Sequence, residues 1–214
     1  RLPSRRSHRA AFRLALIASL LRSTPGTGKA DGWKREKYRL LSNLYRSLAM
    51  GYRRELEPRL STLFSLREIQ YGLKVGTSAE TVRARARQAV LTRSSGRERW
   101  ARAFTARALR GADQLGDQRL RAYVEWTDAM STLDRGGDDG SRLRRVLDEK
   151  GQWLNAGEYL DALAVLCWDS LLHGDTTAAE VLFQHRRERV GVEGQGGRNA
   201  TVAAEAGLLA RQGH

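Results

Sequence analysis

The side chains best equipped for chemistry in this chain are scattered, and their spacing limits what each can do. Ser23-Thr24-Pro25-Gly26-Thr27-Gly28-Lys29-Ala30 has the glycines and lysine of a phosphate-binding loop. Such a loop needs Gly where Ser23 stands, Ser or Thr where Ala30 stands, and a strand before it, and all three are missing. The histidines His8, His173, His185 and His214 have no metal-ligand spacing and no evident nucleophile or carboxylate partner. Cys167 is the only cysteine, which excludes an internal disulfide framework and every cysteine-based zinc pattern. Among Leu160, Leu163 and Leu171 it reads as a small core residue. Asp138-Asp139 sits in a glycine loop and reads as solvated charge. Asn199-Ala200-Thr201 matches a glycosylation sequon without a secretory signal to give it meaning. With no catalytic constellation, the expectation is a protein that is not an enzyme, with no metal site and no cofactor of its own.

Arginine is the exception to this scatter. Arg39, Arg46 and Arg53 recur every seventh residue, so on a helix they form one stripe. Guanidinium groups in that arrangement suit carboxylates and phosphates. The wider charge distribution agrees: residues 1–110 hold 26 Lys/Arg against 7 Asp/Glu, whereas 111–214 hold 12 against 17. The basic half is the candidate footprint for an acidic partner, whether nucleic acid, anionic membrane or protein. The first 30 residues contain no acid and are rich in Arg and Ser, the composition of a mitochondrial transit peptide. Residues 1–31 are therefore expected to be the basic arm of a processed, imported chain. The plainer alternative is a generic basic tail. The longest apolar run, Leu14 to Leu21, is too short to span a membrane.

The elements that must carry these residues are helices. Apolar residues recur at intervals of three and four, with little sign of strands, so the class is all-α. A first helix from about 32 to 56 aligns Leu41, Leu44, Tyr45, Leu48 and Tyr52 on one face. Pro58 stops it and a second, about 59–74, carries Leu60, Leu63, Phe64, Leu66 and Ile69. After Gly76, Thr77 and Glu80 have capping-box spacing and open a third helix with Val82, Ala86, Ala89 and Val90 inward. Ser94-Ser95-Gly96 closes this module, 32–95. A helical extension, 96–190, follows, interrupted by the loop Gly136-Gly137-Asp138-Asp139-Gly140. Thr177 and Glu180 offer another capping box, and 191–214 is expected as a flexible tail. Trp153, Gly157, Tyr159, Ala162 and Ala164 loosely resemble a tetratricopeptide helix pair, but no second copy follows at a fixed period.

Leu44-Tyr45-Arg46 lies on the first of these helices, and the aromatic Tyr71 comes 27 residues after Leu44, at the end of the second. This order resembles the LYR-motif family of small mitochondrial proteins over about residues 36–95. That family carries the tripeptide on the first of three helices and a Phe at the end of the second. Tyr71 departs from it by a hydroxyl, which needs a partner if an apolar tunnel is to form. The resemblance implies a partner, the mitochondrial acyl carrier protein, whose phosphopantetheine-linked acyl chain enters the module. It implies Leu44, Tyr45, Arg46, Arg39 and Arg53 as the carrier and phosphopantetheine contacts, with Leu48, Leu63 and Tyr71 lining an acyl slot. It also implies a place in the mitochondrial matrix or on the matrix side of the inner membrane. There the protein would be an accessory subunit or assembly factor of respiratory complex I or the mitochondrial ribosome.

Two other readings stay open at this stage. The tripeptide is also compatible with an ordinary amphipathic helix whose arginines are simply solvated. The basic half, with Trp33, Tyr38, Tyr45 and Tyr52 among its arginines, also suits a structural protein of the mitochondrial ribosome that contacts rRNA by phosphate pairing and stacking, without a carrier protein.

Overall fold

A computed structural model describes residues 32–54, 57–133 and 140–193, with the side chains of 53, 54 and 189–193 outside that description. The expected basic arm, most of the Gly136–Gly140 loop and nearly all of the expected tail also fall outside it. The described chain is 88% helical with eight helices and no strand, which is the all-α class that the periodicity predicts. None of these helices is long and apolar enough to cross a membrane. Contacts divide the chain into two compact units that meet at Leu120/Arg121.

The first unit contains α1 (Gly32–Arg54), α2 (Pro58–Gly72), α3 (Ala79–Ser94), α4 (Glu98–Leu115) and the start of α5 (Gln118–Leu133). α1 packs on α2, α2 on α3 and α3 on α4. Proline at the first position of α2 suits a site where no backbone donor is needed. The turn before it is closed by Glu57 N donating to Tyr52 O at 2.9 Å. Between α2 and α3, Gly72 is the point where three helices meet. A Cβ there would stand 2.8 Å from Ala84 Cβ, 2.9 Å from Glu80 O and 3.1 Å from Ser42 Oγ. Around it, the Thr81 hydroxyl donates to Gly72 O at 2.8 Å and Ser42 Oγ donates to Glu68 O at 3.3 Å. Glycine at 72 is thus required by close approach of the neighbouring helices.

The cap of α3 differs from expectation. Ser78, not Thr77, receives the backbone N–H of Thr81, at 3.3 Å. Glu80 does not reach back to close a box: it is buried and paired with Arg39. On α1 the buried positions are Ser42 and Ala49, with Tyr45 half-buried, while Leu44 points outward. One residue of helix is 100° of rotation, so seating Tyr45 against α2 turns Leu44 away from it.

α4 runs antiparallel to α3. Ala101, Phe104, Ala108 and Ala112 form its buried stripe, and a Cβ on Gly111 would stand 3.0 Å from Val82 Cγ2. Gly116, with φ +63, ends the helix in the left-handed conformation that glycine adopts at little cost. Because α4 packs along α3, the first compact unit extends past Ser95, where the module was expected to end.

The second unit holds the rest of α5, α6 (Ser141–Lys150), a short 3-10 turn at Gly151–Trp153, α7 (Ala156–Leu172) and α8 (Thr176–Glu193). α5 is tied to α6 by Arg142–Asp128 and Lys150–Glu125 ion pairs. A true capping box opens α7: Asn155 accepts from Glu158 N at 2.9 Å, and Glu158 accepts from Asn155 N at 3.1 Å. α8 is capped by Asp175, which accepts from Ala178 N, and not by Thr177 as expected. Cys167, Leu171, Ala179 and Phe183 join α7 to α8, so Cys167 is the core residue its neighbours suggested. Burial pushes its thiol above the ordinary range, and Arg186 partly opposes this.

Candidate functional site at the α1–α2–α3 junction

The seam between α1 and α2 is built from rings. Tyr38, Tyr45 and Tyr52 recur every seven residues on α1, and Phe64 and Tyr71 do the same on α2. Run antiparallel, the two sets interleave. Tyr71 lies 6.1 Å from Tyr38 and 5.6 Å from Tyr45, Tyr45 lies 6.0 Å from Phe64, and Phe64 lies 5.3 Å from Tyr52. Tyr45 and Tyr71 are nearly parallel, 3° apart. Such offset stacks add about 0.5–1.5 kcal/mol each beyond the area they bury. Lys74 caps one end, its ammonium 5.1 Å from the Tyr38 centroid and 5.6 Å from that of Tyr71.

Beside the ladder lies a buried charge cluster. Glu68 is 1% exposed, and Arg87 Nε lies 3.7 Å from its carboxylate. Burial raises the Glu68 carboxyl above the ordinary range, while Arg87, Arg46 and Arg83 pull it back down. Desolvation is the larger effect. Glu68 Oε2 accepts no hydrogen bond among the described residues. Two turns before Arg46 on α1, Arg39 pairs with Glu36 at 3.6 Å and with the buried Glu80 at 3.4 Å. Both Arg39 and Arg46 therefore act on carboxylates brought in by neighbouring helices. The side chain of Arg53 lies outside the described residues.

The tripeptide thus points three ways. Leu44 is 53% exposed and continues an outward apolar stripe with Trp33 and Leu40. Tyr45 sits in the ring ladder, and Arg46 lies within reach of Glu68. Of the residues expected to line a slot, Leu48 is half-buried on α1 and Leu63 is 44% exposed on the outer side of α2. Tyr71 lies between two tyrosines, stacked on Tyr45 and tilted against Tyr38. The structure brings Tyr45 and Tyr71 together but leaves Leu63 on the surface. Glu68 was not singled out from the sequence, and Glu80, Tyr38 and Phe64 were named there only as a cap, an RNA-stacking ring and an apolar-face residue. The two heptad series of aromatics were the signal available for the rings. Neither glutamate carries a mark in the sequence of the carboxylate it would become.

Among the described residues no three His, Cys, Asp or Glu side chains lie close enough to hold a metal. No protein-family model, curated protein or solved structure matches this chain.

Proposed function

We propose that the protein is a non-catalytic adaptor of LYR type that binds the mitochondrial acyl carrier protein. It would serve a large mitochondrial assembly, respiratory complex I or the mitochondrial ribosome, as accessory subunit or assembly factor on the matrix side. The observation that carries this reading is the stack of Tyr45 on Tyr71. These are the tyrosine of the tripeptide and the aromatic that the LYR resemblance sets at the end of the second helix, and they meet face to face. The outward Leu44, beside a junction rich in guanidinium groups, adds an apolar contact and a field that favours an acidic partner. In this reading Arg39 and Arg46 are poised by Glu80 and Glu68 and exchange part of that pairing for the carrier's carboxylates or phosphopantetheine phosphate. An acyl chain entering beside Leu48 would be stabilised by about 0.8 kcal/mol per buried CH₂.

The test is purification of the tagged protein from its own mitochondria. A 4′-phosphopantetheinylated acyl carrier protein should co-purify, and Leu44→Asp should abolish this while leaving the melting temperature unchanged, since Leu44 is exposed. Arg46→Glu should also abolish capture, but it sets a second carboxylate near Glu68 and so needs a parallel melt. Capture of the carrier protein undiminished by Leu44→Asp, or no carrier protein in the wild-type preparation, would overturn the reading.

A further inference from the structure

A second basic cluster lies away from the tripeptide, along the seam of α3 and α4. Between Arg83 and Arg110 the sequence has nine arginines and one acid, Glu98. Glu98 takes Arg93 and Arg102, each at 3.0 Å, and Arg87 turns to Glu68. Arg83 also acts on Glu68, and of the five left, Arg85, Arg107 and Arg110 lie close enough for their charges to act on one another. The contact of Gly111 with Val82 fixes the antiparallel register of the two helices. One turn along α3 from Val82 is Arg85; on α4 Arg107 lies one turn before Gly111 and Arg110 directly before it, so both come within a turn of Arg85 across the seam. Among the described residues no carboxylate pairs with any of them. Burial and the charges of Arg107 and Arg110 make Arg85 easier to deprotonate than an ordinary arginine, a sign of like charges held together. Among the described residues Arg107 Nη1 is buried without a hydrogen-bond partner, and its guanidinium lies 5.7 Å from the Phe104 ring centroid.

The same stripe of α4 carries an aromatic. Trp100 stands seven residues before Arg107, on the same side of the helix and about 10.5 Å along its axis. It is 53% exposed and tilted against Phe104 at 6.5 Å. Three guanidiniums with no carboxylate partner among the described residues, followed by an exposed indole, match the alternation of phosphate and base along a single strand. An acidic protein surface would satisfy the charges but would leave Trp100 unused.

The geometry points to a binding site for single-stranded RNA on the α3–α4 seam, with Arg85, Arg107 and Arg110 holding successive phosphates and Trp100 stacking an unpaired base. This site shares no residue with the carrier contacts on α1 and does not depend on them.

The full chain is titrated with a short 5′-labelled oligouridylate at several salt concentrations, read by fluorescence anisotropy. Each single-strand phosphate contact contributes about 0.7 to the slope of log affinity against log salt. The triple variant Arg85→Gln, Arg107→Gln, Arg110→Gln should therefore lower that slope by about 2 and weaken binding at least tenfold. A control with Arg59→Gln, Arg67→Gln and Arg119→Gln removes the same charge elsewhere and should change both much less. Trp100→Ala should weaken binding several-fold, and Trp100→Phe should keep most of it. The triple variant should melt no lower than the wild type, because repulsion is removed. Should it unfold, Arg110→Gln alone, at an exposed position, should lower the slope by about 0.7. Equal losses in the triple and control variants would overturn the site, as would displacement of the RNA by polyglutamate at equal charge. Unchanged affinity in Trp100→Ala would overturn the stacking and with it the preference for a single strand.

Discussion

Tyr71 bears on both stability and binding, because it is the ring shared by two stacks. Tyr71→Ala removes its contacts with Tyr38 and Tyr45 and strands the Lys74 ammonium that lies over it. The ring is half-buried, so the loss should be about 2–3 kcal/mol, below the range for a fully enclosed aromatic. Tyr71→Phe keeps the ring and should be nearly silent. Thermal melts of the two variants measure this directly, and equal melting of Tyr71→Ala and wild type would mean that the ladder contributes nothing. Glu68 makes a prediction of opposite character. Its carboxyl is raised in the folded protein by burial, against Arg87, Arg46 and Arg83. The folded state therefore holds its proton more tightly than the unfolded state does. Stability from this group is greatest below the ordinary carboxylate range and falls as pH rises through the raised value. Any advantage of wild type over Glu68→Gln should thus shrink as pH increases from acid toward neutral, as followed by melts across that range. An advantage that grows with pH would show that ion pairing, not desolvation, dominates.

At the scale of the helices, the junction rests on Gly72 and on the cap of α3. Gly72→Ala forces a methyl against Ala84 Cβ and the Glu80 carbonyl, both below 3 Å, and both on packed helices. Neither contact is the end of a flexible side chain, so α2 and α3 must separate. A cost of about 1–3 kcal/mol is expected, with a visible drop in the denaturant midpoint. Ser78→Ala should cost about 1 kcal/mol through its lost cap, and Thr77→Ala much less. These helices were legible in the sequence because their apolar spacing is regular and Pro58, Gly76 and Gly96 punctuate it. Cap positions were less legible. Thr77 and Thr177 each stand three residues before a glutamate, which is the pattern of a box, yet Ser78 and Asp175 do the capping. The pattern names a pair of residue types, whereas the cap depends on which side chain the incoming backbone leaves facing the first turn. On α1 the three-and-four spacing placed Leu44 with Tyr45 on one face. The choice between them was made by α2, whose own aromatics at 64 and 71 could interleave only with tyrosines at 38, 45 and 52. Arg39 and Arg46 were legible as a stripe, but the carboxylates they meet come from α2 and α3 and had no signature at short range.

At the scale of the whole chain, charge separates the two units. Residues 1–120 hold 27 Lys/Arg against 9 Asp/Glu, and 121–214 hold 11 against 15. An acidic partner is thus attracted to the first unit and weakly repelled by the second, and the effect fades as salt shortens the screening length to about 10 Å or less. Within the first unit the two proposed faces lie on different helices, since α1 packs chiefly on α2 while α4 packs on α3. Carrier protein and RNA should therefore bind together without competing. Hydrogen exchange on the full chain reads this out. Carrier protein should protect α1 and the start of α2, oligouridylate should protect α3 and α4 around Arg85 and Arg107, and both together should give the sum of the two footprints. α6 to α8 should exchange alike in every sample. Protection that appears first in α7 or α8 would move the partner surface to the acidic unit. Loss of α1 protection when RNA is added would mean that both partners draw on the guanidiniums around Glu68, and that the protein carries one anion surface where two are proposed.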